Sequence, residues 1–504
     1  MKALLEPIKE IARFDELFRD LKKGAAGVTV ISGCLESQKA HMIAGLSEDA
    51  PVRLLIAENE LKAKELYEDY RLYDPETLYY PAKDLIFYQA DIHGNLLIRQ
   101  RLQVIQALLE RKEVTIITSV GGCMDFLLPL DVFKKHCIHL RNDSELDLDK
   151  IRKELVRLGY ERTFQVESTG QFSVRGGILD IYPLTEQNPI RIELWGDEID
   201  SIRSFDAESQ RSIENLEEIT IYPASELILT EDTIARGVKA IKKEAKAQST
   251  KFRDKMMTEE AARIRHAAEE ICDQIGEGEI LQGAEQYLHY FYPETISFLD
   301  YLPESSRIFL DEPNRIIECA TALETEFQES VSHRLEKGYL LPGQAKLMCS
   351  TSELTARLNR RGCVAVSLME PQKGEWNIRD EFSVTVKSVN SYNNQFPILV
   401  KDLKSWKKAG YRIVLASPSR TRAQHLAEDL QNEEIPAFYS ENEERVLNPG
   451  EVMLIHGAAR RGFEYPMQKF VLITETDIFG KEKKKNRKKS EYSGQKIQNF
   501  ADLS

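Results

Sequence analysis

Gly33 and Lys39 stand at the spacing of the phosphate-binding loop G-x-x-x-x-G-K-[ST], directly after the apolar run Val28 to Ser32. In that motif backbone amides wrap a phosphate, the lysine reaches it and a hydroxyl holds magnesium. Here Gln38 replaces the second glycine and Ala40 replaces the hydroxyl, while Glu36 puts a negative charge where phosphate would sit. A side chain at 38 hinders the wrapping amides, and Ala40 offers magnesium no oxygen. Far downstream, Ile308-Phe309-Leu310 runs into Asp311 and Glu312, the apolar-then-acidic pattern that orients magnesium and water in such enzymes. A surface turn before Pro313 explains that pair equally well. Together the two segments predict a nucleotide-binding fold kept as scaffold, with no catalytic residue, metal site or cofactor of its own.

A different chemistry is carried by Ile190-Arg191-Ile192-Glu193-Leu194-Trp195. Period two sends Ile190, Ile192 and Leu194 to one face of a strand and Arg191, Glu193 and Trp195 to the other. Arginine beside a large aromatic is the pairing that dominates binding hot spots. In the preceding strand Phe172 and Val174 alternate with Ser173 and Arg175, which places Arg175 on the same outer face. Alternation leaves two readings open. The face meets a partner, or Trp195 packs under a loop while the arginines pair with Glu193, Asp197 or Glu198.

Several kinds of element must position these residues. From Val28 to about Leu130, short apolar runs at Val28 to Ser32, Arg53 to Ala57 and Val114 to Thr118 alternate with helical patterns, the signature of βα units and a parallel sheet. Thr163 to Pro223 reads as short alternating strands, with candidates at 163–167, 171–175, 178–182, 190–195, 199–205 and 217–222 and a hairpin at Gly196-Asp197. Long helices are expected from Thr230 to Cys272, capped by Thr230 or Asp232. Strands resume at Arg307 to Leu310, and Phe382 to Val389, Tyr411 to Ala416, Val452 to His456 and Phe470 to Thr474 form a last unit. The fold class expected is α/β multidomain. A degenerate P-loop-type parallel-sheet domain (1–136 and 227–368) is split by a small antiparallel β-rich insert (137–226). A separate small α/β domain (369–480) and a basic linker (481–504) follow.

The chain has 504 residues, 42% hydrophobic and 30% charged, with a net charge of −14, which excludes fibrous and wholly disordered classes and a general nucleic-acid coat. The seven cysteines lie far apart without a CxxC pair and read as reduced thiols, and the nine scattered histidines suggest no metal centre. Charges interrupt Met1 to Phe14 and Val114 to Phe133, so neither a signal core nor a membrane span is expected, and the placement expected is cytoplasmic. Lys481 to Ser490, with its dense lysines and arginines, reads as a solvated linker, with a nucleic-acid or partner contact as the alternative.

Gly170-Gln171-Phe172-Ser173-Val174-Arg175-Gly176-Gly177-Ile178-Leu179-Asp180-Ile181-Tyr182-Pro183, followed by Arg191 to Arg203 and Gln210-Arg211-Ser212, closely resembles the module shared by the excision-repair protein UvrB and the transcription-repair coupling factors (Mfd). The loop at Gly33 to Ala40, Tyr80-Pro81-Ala82-Lys83-Asp84 and Thr474 to Gly480 are similar to the coupling factors rather than to UvrB. The resemblance implies that the antiparallel insert recruits UvrA. Carried over by position, the contact residues fall on Arg175, Arg191 and Trp195. It also implies that an intact family member continues into an RNA-polymerase-binding domain and an ATP- and magnesium-dependent DNA translocase, both beyond Ser504. A closing contact on the UvrA face would then be missing, which predicts an exposed face. The alternative is a UvrB-like, nucleotide-dependent helicase that binds damaged DNA. Asp84 to Arg101 supplies only Phe87 and Tyr88 for a stacking wedge, which disfavours it.

Overall fold

The computed structural model describes residues 2–22, 24–83, 94–111, 113–276, 284–371 and 374–480. The expected linker at 481–504, and Phe87 and Tyr88, lie outside these residues.

A seven-stranded sheet organises the first domain, in the order Ile378–Ser383, Val28–Ser32, Cys363–Val366, Arg307–Asp311, Val52–Ala57, Val114–Ser119, Leu78–Tyr80. Every pairing is parallel. Such a sheet is covered on both faces, which is why its strands read as unbroken apolar runs. Alternate residues feed two cores. Ile31, Leu55, Ile117, Phe309 and Val364 pack under helices Glu36–Leu46 and Glu60–Tyr70, whereas Val30, Leu54, Ile56, Ile116 and Leu310 face the opposite core.

The edge strand Ile378–Ser383 departs from the sequence reading, which put Phe382 to Val389 in the last unit. Phe382 is instead buried in the first domain's core, with the Arg13 guanidinium 4.5 Å above its ring. The last unit's sheet begins only at Lys387–Ser388. That second sheet has six strands, in the order Lys387–Ser388, Phe463–Tyr465, Phe470–Thr474, Arg412–Ser417, Val452–His456, Ala437–Tyr439.

Between these parts, Ile138–Arg141 and Glu218–Ile221 form an antiparallel ladder that closes the base of the insert. Beyond it stands a six-stranded sheet, ordered Ser212–Leu216, Glu198–Phe205, Ile190–Trp195, Ile178–Ile181, Gln171–Arg175, Glu161–Arg162. Gly196, at φ +67°, makes the turn expected at Gly196-Asp197. Thr163 to Glu167, expected as a strand, is a loop. Its backbone finds partners outside any ladder: Gln171 Oε1 accepts the amides of Glu167 and Ser168 at 3.0 and 3.1 Å, and the Ser173 hydroxyl donates to the Phe164 carbonyl at 2.7 Å.

The exit of the insert is anchored by buried charge. Arg101, fully buried on helix Gly94–Glu110, donates to Glu226 at 2.8 Å and to the Pro81 carbonyl at 2.7 Å, and Lys83 reaches the other oxygen of Glu226. Burial raises Asp125, 3.2 Å from Arg101, to about 6. Glu226 is held below the usual carboxylate range: burial opposes ionisation, but Arg101 and Lys83 outweigh it. Helices Glu231–Asp254 and Thr258–Gly276 then pack through Ile241, Ala245, Phe252, Ile264 and Ala268, with Thr230 completing a capping box.

Candidate partner-binding face

The loop at Gly33 to Ala40 uses its groups internally. Gly33 has φ +82°, and a Cβ there would lie 2.3 Å from the Val384 carbonyl oxygen, so only glycine fits. The amides of Gly33 and Cys34 donate to the carbonyls of Leu368 and Ser367 at 3.1 and 3.0 Å. Lys39, buried at the start of helix Glu36–Leu46, places Nζ 2.6 Å from Asp311 and 2.7 Å from Glu312. Burial alone would lower its pKa, but the two carboxylates outweigh that and hold the ammonium protonated. The acidic pair is therefore no loose surface turn: Asp311 is largely buried, and Glu312 Oε1 also accepts the Leu368 amide at 2.9 Å. Gln38, in the place of the second glycine, donates to the Tyr465 hydroxyl of the last domain. Ala40 is fully buried. The segment forms a brace between domains.

On the insert, period two holds. Ile190 and Ile192 are buried, while Trp195 is 84% exposed, which excludes packing under a loop. Arg191 lies opposite Asp180 in one ladder and opposite Arg203 in the next, and Arg175 ends the strand beyond Asp180. Asp180, 1% exposed, is the hub. It accepts Nη2 of Arg175 at 2.9 Å, and Nε and Nη2 of Arg191 at 2.6 and 2.9 Å. Arg191 Nη2 also donates to Gln210 at 3.0 Å, and its guanidinium lies 4.4 Å over the Phe205 ring. The Asp180 hydrogen bonds raise the Arg191 pKa above its ordinary value. Both guanidiniums are thus held by one buried carboxylate, leaving a pre-ordered surface on the same face as a bare indole.

The predicted pairings of Arg175 and Arg191 with Glu193, Asp197 or Glu198 do not form. Glu193 pairs with Arg203 instead. Asp180, Gln210 and Phe205 were missed by sequence reasoning. The Gly176-Gly177 turn was the available signal, because a two-residue hairpin sets Arg175 against Ile178 and so Ser173 against Asp180.

A family model described as UvrB interaction domain matches residues 138–227, the span that the closing ladder encloses. Over 493 residues the chain is 32% identical to a transcription-repair-coupling factor of Bacillus subtilis (strain 168), covering 94% of this chain and 41% of that protein. The chain is related to the transcription-repair-coupling factors. A second such factor, from Staphylococcus aureus (strain MRSA252), is 30% identical over 514 residues, covering all of this chain and 42% of its own length. A third, from Staphylococcus haemolyticus (strain JCSC1435), is 29% identical over 479 residues, covering 94% of this chain and 40% of the relative. The chain thus spans about two fifths of the length of these coupling factors. No helix among the described residues is long and apolar enough to cross a membrane. Among those residues no cluster of three or more His, Cys, Asp or Glu is arranged to hold a metal ion.

Proposed function

We propose that this region is the UvrA-recruiting part of a transcription-repair coupling factor, with the outer face of the antiparallel insert as the contact. The observation that carries this reading is Trp195, exposed beside two arginines that share a buried carboxylate, within the span matching the UvrB interaction domain. Arg175 and Arg191 supply charge-assisted hydrogen bonds to the partner, and Trp195 fills an apolar pocket.

On this reading the parallel-sheet domain is a scaffold without nucleotide chemistry, a degenerate P-loop domain whose lysine is neutralised by Asp311 and Glu312. The chain alone is not an enzyme and takes no cofactor. Recognition of RNA polymerase, ATP- and magnesium-driven translocation on DNA and displacement of the stalled enzyme belong to the rest of the intact cytoplasmic protein. The rival reading, a nucleotide-dependent helicase, requires Lys39 to release both carboxylates and the loop to free its amides.

Titration of purified UvrA into the chain tests the proposal. Trp195→Ala is expected to weaken binding by about 2 kcal/mol or more and to leave the melting temperature unchanged. Unchanged affinity would remove Trp195 from the contact.

A further inference from the structure

Phe164 is as exposed as Trp195, at 84%, and the proposed contact set leaves it out. A single exposed apolar residue is ordinary on a protein surface. Three features set this one apart. First, its backbone is fixed. The Ser173 hydroxyl, itself buried, donates to the Phe164 carbonyl at 2.7 Å, the Thr163 amide donates to the Phe172 carbonyl at 2.9 Å, and the Thr163 hydroxyl donates to the Gln165 carbonyl at 3.0 Å. The ring is thereby held in water by a tied loop. Second, the loop crosses the outer face of the sheet at Ser173, which lies opposite Asp180 in the ladder. Third, the Arg175 guanidinium is 5.9 Å from the Phe164 ring while donating to Asp180, so ring and charge belong to one surface.

The ladders order this surface. Arg175 lies opposite Ile178, Ile178 opposite Glu193, and Trp195 is the next outer position along that strand. With strands about 4.8 Å apart, Phe164, beside Arg175, and Trp195, two residues along from Glu193, stand on one face three strands wide. Arg175 and Arg191 pair with Asp180 and Arg203 pairs with Glu193, while Glu198 stands opposite Trp195 in the ladder.

Resting on the proposed UvrA contact, we infer that Phe164 is a second aromatic anchor of that face, and that the partner presents two apolar pockets flanking a carboxylate. Because its loop is already ordered, the ring adds contact area at little entropic cost. It belongs to a loop, so it can set how tightly this chain holds its partner without altering the arginine pairs to Asp180.

The experiment is calorimetric titration of purified UvrA with the parent chain, Phe164→Ala, Phe164→Tyr and Trp195→Ala. Phe164→Ala is expected to weaken binding about tenfold or more, with Phe164→Tyr near the parent and all thermal midpoints alike. Phe164→Ala binding like the parent while Trp195→Ala loses affinity would overturn this inference and leave the contact itself standing. No binding by the parent would overturn the contact, and the anchor with it.

Discussion

Asp180 does for this face what no exposed residue can. It is 1% exposed and barely able to touch a partner, yet it orients both guanidiniums. Asp180→Asn keeps the shape and removes the charge, so the guanidiniums lose the carboxylate that both of them share. UvrA affinity is expected to fall about tenfold, and stability by about 1–3 kcal/mol from the unpaired buried groups; calorimetry and chemical denaturation read the two effects separately. Arg191→Ala is the blunter probe, because it leaves a buried carboxylate held by Arg175 alone. Outward placement of Arg191 and Trp195 was legible from alternation in a six-residue strand. Asp180 was not, since its partners sit on neighbouring strands and only register brings them together. Phe164 was hidden for another reason: Thr163 to Glu167 carries strand-like residue types, and side chains of Gln171 and Ser173 satisfy its backbone instead.

Helix Glu36–Leu46 shows how a phosphate-loop element serves a different purpose. Its sequence departures were legible one by one, but not that Gln38 and His41 both meet Tyr465 from beyond residue 460. His41 is buried among Tyr73, Phe463, Tyr465 and Phe470, with Nε2 2.6 Å from the Leu4 carbonyl. Burial lowers its pKa from 6.5 to about 4, against the pull of that carbonyl. The unfolded chain then binds a proton near 6.5 that the folded chain refuses until about 4. Stability therefore falls as pH drops through this window, by up to about 1.4 kcal/mol per pH unit. Asp125 acts in the opposite direction in an overlapping range, because its raised value favours the folded state as pH falls below about 6. The difference between parent and His41→Gln isolates the histidine: denaturation midpoints of the variant are expected to lose the decline between 6.5 and 4. A parallel decline in both proteins would assign it elsewhere. The same helix predicts that Gln38→Gly with Ala40→Thr restores the motif but no magnesium-ATP binding by calorimetry, since Lys39 remains committed to Asp311 and Glu312.

At the scale of the whole molecule, the parallel-sheet domain carries the insert on one side and the last domain on another. The insert's exit is pinned through Arg101 and Glu226. The last domain is joined by Arg460 to Asp69 at 2.8 Å and by Arg412 to Glu10 at 2.6 Å, around a shared core of Leu4, Leu72, Phe463 and Tyr465. The strands at Val28–Ser32, Val52–Ala57, Val114–Ser119 and Arg307–Asp311 were legible as apolar runs, whereas Leu78–Tyr80 and Cys363–Val366 of the same sheet were not named. The transfer of Ile378–Ser383 to the first sheet was not legible, because one short edge strand carries no mark of which sheet it joins. Such a frame holds the aromatic and arginine face rigid, which is what a docking module requires. The most direct measurement is the affinity of purified UvrA for this chain and for an Arg175→Glu, Trp195→Ala variant of unchanged thermal midpoint. The account predicts saturable binding by the parent that weakens with salt and is lost in the variant. Equal binding by both proteins would contradict it.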